Sequence, residues 1–120
     1  MLEVRNMDVG YYRDLNILSQ LNLEVKPGQI VTILGANGVG KSTSLKAIYG
    51  FLRPNGGTIH LDGQPIIDVP THERINLGLA YIPQHPGIFR DMTVEENLLL
   101  GAWTFRREKA RIARRLEEQY

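Results

Sequence analysis

Nine consecutive residues, GANGVGKST from Gly35 to Thr43, have the residue types and spacing of a loop that binds phosphate. Glycines let such a loop approach phosphate oxygens closely and adopt positive φ, so that several backbone N–H groups point at one anion. Lys41 would contact the β- and γ-phosphates, Ser42 would offer its hydroxyl to Mg²⁺, and Thr43 could bond the α-phosphate. The predicted nucleotide-binding residues of the loop are Gly35, Ala36, Asn37, Gly38, Val39, Gly40, Lys41, Ser42 and Thr43.

Two alternatives to a phosphate site are a glycine-rich turn with an incidental lysine and a dinucleotide-binding fingerprint. The fingerprint fails because Thr43 stands where its third glycine is required. The flanking sequence favours phosphate, since IVTILG before the loop is apolar and β-branched and predicts a strand buried on both faces. After the loop, Leu45, Ile48 and Leu52 recur at helical spacing, which predicts a helix whose N-terminus faces the phosphates.

Short strand-like and helix-like stretches make up the rest of the chain. Alternating or apolar β-branched patterns predict strands at LEVRNMDVGYY, LNLEV, TIHLDG and LAYIP. Lys26-Pro27-Gly28 and Asp62-Gly63 have the residue types of tight turns. Helices are predicted over 71–78, over TVEENLLLGAW with Thr93 as N-cap, and from Phe105 to the end of the sequence.

Bulk composition excludes several classes of protein. The chain has 120 residues, 42% of them hydrophobic and 22% charged, with a net charge of +1, which is typical of at most one globular domain. It has no cysteine, so a disulfide framework, a cysteine zinc site and a thiol nucleophile are excluded. No apolar run approaches the roughly 20 residues of a membrane-spanning helix, so any membrane role would require a partner.

Over all 120 residues the chain resembles the N-terminal part of an ATP-binding cassette (ABC) transporter ATPase. Four segments carry the resemblance: GANGVGKST is similar to the family's Walker A loop, GGTIHLDGQPI to the hairpin after the first helix, GLAYIPQ to the strand before the Q-loop, and MTVEENLLLGA to the start of the helical subdomain. The resemblance implies an α/β fold of the P-loop NTPase class, with a three-layer α/β/α core and an N-terminal antiparallel β-subdomain. It places the β-subdomain, P-loop core and Q-loop strand at about 1–84, and the Q-loop and start of the helical subdomain at about 85–120.

The resemblance also implies a function. MLEVRNMDV, VKPGQIVTILGANG and THERINLGLAYIPQ are most similar to ATPase subunits of branched-chain amino-acid importers, although lipopolysaccharide and urea transporters look alike here. Such a subunit would bind ATP and Mg²⁺ and energise transport from the inner face of the plasma membrane, as a peripheral cytoplasmic protein. Its partners would be a second ABC ATPase subunit, arranged head to tail, and a transmembrane permease contacted through the loop from Pro83 to Met92 and the following helix.

Two more site residues follow from the resemblance. Tyr12 lies 29 positions before Lys41, the family's usual spacing for the aromatic that stacks on the nucleotide base, with Tyr11 as second choice. Both tyrosines could instead be packing residues of a strand. Gln84 matches the Q-loop glutamine, whose amide oxygen would approach Mg²⁺ or the attacking water; an ordinary loop glutamine is the alternative.

Other residues that hydrolysis requires in this family do not occur in the 120 residues. The sequence has no apolar strand ending in Asp-Glu, no LSGGQ signature and no later switch histidine; TIHLD is followed by Gly63 and matches the hairpin instead. The final helix carries Glu117 and Glu118 in its last turn, where the helix dipole disfavours acids, with no cap after them. We therefore expect the N-terminal half of a domain about twice this length, which alone binds nucleotide weakly, does not hydrolyse it, and self-associates through an exposed sheet edge.

Two alternatives to a transport ATPase remain at this point. One is a non-catalytic module that binds nucleotide or phosphate, favoured if 120 residues is the natural length. The other is a small GTPase or nucleotide kinase, disfavoured because no N-K-x-D guanine motif occurs. The histidines His60, His72 and His85 receive no role.

Six cations lie within ten residues near the end of the sequence: Arg106, Arg107, Lys109, Arg111, Arg114 and Arg115. Such a run occurs in patches that bind nucleic acid or anionic membranes, and also on ordinary solvated helix faces. Glu108, Glu117 and Glu118 dilute the charge, and Phe105 is the only aromatic interleaved with it. The sequence therefore favours a solvated face and predicts no nucleic-acid partner.

Overall fold

A computed structural model describes residues 1–12, 15–85 and 87–119, except for the side chains of Tyr11 and Tyr12. The chain divides into two compact units, Met1–Tyr81 and Ile82–Tyr120. The first unit contains the strands β1 Leu2–Tyr12, β2 Leu15–Val25, β3 Gly56–Leu61 and β4 Gln64–Pro65, and the helices α1 Lys41–Tyr49 and α2 Thr71–Arg74. The second contains the helices α3 Val94–Gly101 and α4 Lys109–Glu117. No helix in the described ranges is long and apolar enough to cross a bilayer.

The first unit is built on an antiparallel sheet with the strand order β2-β1-β3-β4. Val4 pairs with Leu23 on one side and with Ile59 on the other, so apolar side chains from three strands share one face. Asp62 and Gly63 join β3 to β4 with φ of 49° and 80°, the two positive values of a type I′ turn. The strands predicted from LEVRNMDVGYY, LNLEV and TIHLDG are thus confirmed.

Helix α1 packs on the apolar face of this sheet and completes the core. Its inward side differs from the predicted stripe: Ala47, Ile48 and the small Ser44 are buried, whereas Leu45 is 46% exposed. Leu52, beyond the helix end, packs against the core from its edge. The prediction was wrong at Leu45 because the close approach of helix to sheet selects small residues, which a hydrophobicity pattern does not mark. The buried core cluster is Val4, Met7, Val9, Ala47, Ile48, Ile59 and Ile66.

Two predicted strands are not formed. IVTILG and LAYIP pair with no strand in the part of the chain that the structure describes, and Ile30, Leu34 and Ile82 are 97%, 86% and 90% exposed. A strand exists only where a neighbouring backbone accepts and donates its hydrogen bonds, and a strand buried on both faces needs neighbours on both edges. Within the described residues neither segment has such a neighbour. Both instead border an apolar groove of about 170 Å³ beside α1, lined by residues that include Val31, Ile33 and Tyr81.

Helix α2 holds the C-terminal end of α1. The side chain of Arg74 is buried, and its guanidinium donates hydrogen bonds to the carbonyls of Ile48 (2.6 Å), Val69 (3.0 Å) and Ile67 (3.2 Å). Burial lowers the pKa of this guanidinium, because desolvation disfavours its charge. The hydroxyl of Thr71 donates to the carbonyl of Gly50 at 2.7 Å. Two side chains of α2 therefore satisfy carbonyls that the end of α1 leaves unpaired.

The second unit begins with a loop that is tied to α3. Thr93 is the N-cap of α3, and Glu96 closes a capping box by accepting from the Thr93 N–H at 2.8 Å. Asn97 accepts from the Phe89 N–H at 2.9 Å and donates to the carbonyls of Phe89, Met92 and Thr93 at 3.0, 3.3 and 2.9 Å. The helix predicted over TVEENLLLGAW is confirmed, and Asn97 fixes the loop before it.

The basic helix predicted from Phe105 begins later than expected. One 3₁₀ turn covers Trp103–Phe105, and α4 starts at Lys109. Ile112 and Leu116 lie half-buried on one side of α4, as predicted, with the cations around them. The helix predicted over 71–78 is confirmed as α2 and one 3₁₀ turn, Ile75–Leu77.

The capping box predicts a pH dependence. The pKa of the Glu96 carboxyl lies below its ordinary 4.5, because the Thr93 N–H, and then the Thr93 hydroxyl, donate to the charged form. Glu96 thus binds its proton less readily in the folded state, so its contribution to folding stability is present above about pH 4.5 and is lost as pH falls through the lowered pKa. We expect the thermal midpoint, followed by helical circular dichroism, to fall over this range. In Glu96→Gln, which caps without titrating, the fall should be smaller; equal falls would contradict the assignment.

The four hydrogen bonds of Asn97 predict slow amide exchange in the loop before α3. Asn97→Ala removes all four hydrogen bonds, so amide exchange at Phe89 should accelerate by roughly tenfold to a hundredfold, which corresponds to about 1.4 to 3 kcal/mol. Asn97→Asp retains an acceptor for the Phe89 N–H and should lie between this variant and the parent. Asn76→Ala, at an exposed asparagine of the first unit, is the control. Unchanged amide exchange at Phe89 in Asn97→Ala would show that the Asn97 hydrogen bonds do not hold the loop.

Candidate functional site

The predicted phosphate loop lies between the IVTILG segment and α1, and its shape depends on glycine. Gly38 and Gly40 have φ of 85° and 95°, a region that residues with a Cβ rarely adopt. Gly40 is also the N-cap of α1, and a Cβ at this position would lie 2.6 Å from a methyl carbon of Leu18 on β2. Gly40 therefore lets α1 begin directly against the sheet, with its first turn facing the loop.

The N-terminus of α1 suits an anion. Its N-cap, Gly40, has no side chain that could cap it, and no acidic residue lies in its first turn. The first regular helical bond runs from the Ser44 N–H to the Gly40 carbonyl at 2.8 Å. The N–H groups of the preceding residues carry the positive end of the helix dipole, which is the usual environment of bound phosphate. This end of the helix is therefore suited to bind a phosphate group of a nucleotide.

Lys41 lies across this loop. Its Nζ donates to the carbonyl of Gly35 at 2.8 Å and to that of Ala36. None of the ion pairs in the described part of the chain involves Lys41, so its charge has no carboxylate partner there. A cation held only by neutral carbonyls can exchange them for a phosphate oxygen, which binds an ammonium more strongly. The hydroxyl of Ser44 is already used, since it donates to the Lys41 carbonyl at 2.7 Å.

Ser42, whose hydroxyl is the predicted metal ligand, is exposed in the first turn of α1. The described ranges contain no group of three or more histidines and acids that could hold a metal ion by itself. This donor set fits Mg²⁺ that arrives with a nucleotide, because Mg²⁺ keeps several waters and binds through one or two protein oxygens and the phosphates.

The two remaining predicted site residues are described less completely. The backbone of Tyr12 pairs with Leu15 at the end of the β1–β2 hairpin, but its side chain lies outside the described part of the structure. Gln84 is exposed, follows the LAYIP segment and belongs to the second unit. Base stacking by Tyr12 and metal binding by Gln84 stay predictions.

Sequence reasoning overlooked Arg74 and Asn97. Arg74 supports the helix that carries the phosphate loop, and nothing in its sequence neighbourhood distinguishes it from an exposed helical arginine. Asn97 offers a weak signal: it lies four residues after the N-cap Thr93, where its side chain can reach the start of the helix. Both side chains bind backbone groups, and a pattern of residue types does not show which backbone groups lie within reach.

Two curated relatives show what the chain is similar to. It is 39% identical over 111 residues to a probable branched-chain amino acid transport ATP-binding protein, LivF, of Archaeoglobus fulgidus, covering 92% of this chain and 47% of the relative. It is 39% identical over 99 residues to the lipopolysaccharide export system ATP-binding protein LptB of Acidithiobacillus ferridurans, covering 82% of this chain and 41% of the relative. The chain thus spans about half the length of the relatives it matches or less.

Solved structures agree with the predicted fold class. An ATP-binding subunit of an ABC transporter superposes with a TM-score of 0.73 at 37% identity, covering 86% of this chain and 42% of that one. Residues 18–120 match the ABC transporter family, a range that includes the whole phosphate loop. The chain therefore belongs to the ABC transporter family and has the P-loop NTPase fold of its ATP-binding subunits.

Proposed function

We propose that this chain is the nucleotide-binding part of an ABC transporter ATPase and binds ATP–Mg²⁺ through residues 35–43. The observation that carries the proposal is the combination of an uncapped α1 N-terminus with Lys41, a cation that neutral carbonyls hold over the loop. Both features favour a polyanion, and no acidic side chain in the first turn of α1 opposes one.

Each residue of the site has a separate task in this proposal. Backbone N–H groups of the loop bind phosphate oxygens, Lys41 neutralises the β- and γ-phosphates, and Thr43 bonds the α-phosphate. The Ser42 hydroxyl is a ligand of Mg²⁺, which when bound neutralises phosphate charge. Tyr12 stacks on the base, and Gln84 offers an amide oxygen near the metal. The assignments within the loop rest on family membership and on the loop geometry, and those of Tyr12 and Gln84 rest on the resemblance to the family.

The proposed transported solute is a branched-chain amino acid. The archaeal relative, 39% identical over 92% of this chain, supports this solute; the lipopolysaccharide-export relative has the same identity over 82% of the chain and supports the alternative cargo less strongly. We propose a second ABC ATPase subunit, arranged head to tail, and a transmembrane permease as partners, and a peripheral location on the cytoplasmic face of the plasma membrane. The division at about residue 84, with the Q-loop and helical subdomain after it, belongs to the same proposal.

The loop held by Asn97 supports the proposed permease contact. Ile88 and Phe89 are 63% and 58% exposed on a loop that four side-chain hydrogen bonds hold in place. Exposed apolar side chains on an ordered loop are suited to binding another protein, because little conformational entropy is lost when they are covered.

Nucleotide binding is tested by titration calorimetry with ATP–Mg²⁺. Lys41→Ala should weaken binding by roughly tenfold to a hundredfold, since it removes a charged contact to phosphate. Lys46→Ala is the matched control, because it removes an exposed lysine from the same helix and leaves the loop intact. Equal affinities of Lys41→Ala and Lys46→Ala would overturn the proposal.

We also expect these 120 residues alone to hydrolyse ATP no faster than Lys41→Ala; faster hydrolysis would contradict this part.

Self-association of the 120-residue chain is the final part of the proposal. Ile30 and Leu34 are almost fully exposed on a segment that pairs with no strand of the described residues, so pairing with a second copy would bury apolar surface. Light scattering should show oligomers of the parent and a monomer of Ile30→Lys/Leu34→Lys. Leu15→Lys, at a residue 65% exposed on β2, should leave the oligomers unchanged. A monodisperse parent monomer would refute self-association.

A further inference from the structure

The six cations near the end of the chain fall into two groups. Arg111 pairs with Glu108 at 3.2 Å, and Arg114 and Arg115 pair with Glu118 at 3.9 and 3.1 Å. The other three cations take part in none of the ion pairs within residues 87–119: Arg106, Arg107 and Lys109. The positive charge of this region is therefore concentrated before and at the start of α4, where the nearest acid, Glu108, is paired with Arg111.

An exposed aromatic side chain lies next to these unpaired cations. Trp103 is 63% exposed, and the guanidinium carbon of Arg106 lies 4.6 Å from the centroid of its ring. Arg106 also donates to the Trp103 carbonyl at 3.2 Å, so the cation is held against the ring. Arg107 and Lys109 follow within six positions of Trp103 and are exposed. We call these four residues the Trp103 patch.

We infer that the Trp103 patch binds the anionic headgroup surface of a lipid membrane. Tryptophan partitions to the bilayer interface, where its ring contacts acyl chains and its N–H stays near water. Each Lys or Arg close to an anionic surface contributes attraction, and arginine also forms paired hydrogen bonds with phosphate. The net charge of the chain is only +1, so the attraction is local to the patch and does not come from the whole molecule.

Single-stranded nucleic acid fits the patch less well. Proteins that bind it combine a basic groove with several aromatic side chains on which successive bases stack. The patch has one aromatic and three cations, and the other aromatic of the same turn, Phe105, is half-buried under Arg111, whose guanidinium carbon lies 4.3 Å from its ring. A protein that binds a flat layer of lipid headgroups requires neither a groove nor a second aromatic side chain for stacking.

The lipid contact is separate from nucleotide binding. It goes beyond the proposed function and uses none of the residues of the phosphate loop, although a location at the membrane suits both. Three cations and one tryptophan give weak, reversible binding by themselves. Added to a permease contact, such binding would increase the affinity of the whole assembly for its membrane through effective concentration.

The protein carries its own probe, because Trp103 is the only tryptophan of the 120 residues. The parent chain is titrated with vesicles of two parts phosphatidylcholine to one part phosphatidylglycerol, and with vesicles of phosphatidylcholine alone. We expect the Trp103 emission to shift to the blue with the anionic vesicles only, and the shift to decline as salt rises. Brominated acyl chains in the anionic vesicles should quench the emission, a readout that requires no variant.

Two triple variants, each of which removes three positive charges, distinguish the effect of the Trp103 patch from the effect of net charge. Arg106→Gln/Arg107→Gln/Lys109→Gln should lower the affinity for anionic vesicles on the order of a hundredfold. Arg111→Gln/Arg114→Gln/Arg115→Gln should lower it less than about tenfold, because these cations are already paired with acids. Lys41→Ala should bind vesicles like the parent, so a failure of the nucleotide proposal leaves this test intact.

Three results would overturn the inference. The first is an equal loss of vesicle affinity in both triple variants, which would show that net charge alone explains the binding. The second is an absence of blue shift and of quenching in the parent chain. The third is a larger change of Trp103 emission with a short single-stranded oligonucleotide than with anionic vesicles under the same conditions, which would assign the patch to nucleic acid.

Discussion

The placement of helix α1 is the constraint on which the first unit depends. One side of the helix is fixed by Ala47 and Ile48 against the sheet, and its C-terminal end by the buried guanidinium of Arg74. A buried cation is tolerated only if its donors are satisfied, and here three carbonyls accept from it. One of them, from Ile48, belongs to α1 itself, so the charge stabilises the negative end of the helix dipole. The opposite end, about 14 Å away, is left for the phosphate loop.

The sheet and the loop segments differ in what they need in order to form. β1 pairs with its neighbour in the chain, β2, and also with the more distant β3, so all three strands find their partners within this stretch of chain. IVTILG is suited by composition to the interior of a parallel sheet, whose strands come from distant parts of a sequence. Its apolar side chains consequently stay exposed at Ile30 and Leu34. Exposure of these apolar side chains to water is unfavourable, which is the physical basis of the expected self-association.

The second unit is organised by polar contacts of short range. Thr93, Glu96 and Asn97 lie within five positions and together fix the start of α3 and the loop before it. Ion pairs along α4 neutralise three of its arginines, and none of the ion pairs within residues 87–119 involves a cation of the Trp103 patch. Little of the described part of this unit is buried, and its surface presents apolar side chains on one loop and a tryptophan with cations beside α4, on which the proposed permease and lipid contacts rest.

The sequence by itself determined the features that depend on neighbours in the chain. The phosphate loop, the Asp62-Gly63 turn and the Thr93 cap follow from φ preferences and hydrogen bonds that span a few residues. Family membership could likewise be inferred from the order of short motifs, since each has its own local chemistry.

The tertiary structure decided what depends on contacts between distant segments. It selected Ser44 over Leu45 for the buried side of α1, because the sheet approaches the helix closely there. It placed the guanidinium of Arg74 on the Ile48 carbonyl of α1, and among the described residues it gave IVTILG no strand partner and gave three of six similar cations an ion pair. Burial, strand pairing and ion pairing are properties of what lies opposite in space, and a linear pattern of residue types does not contain that information.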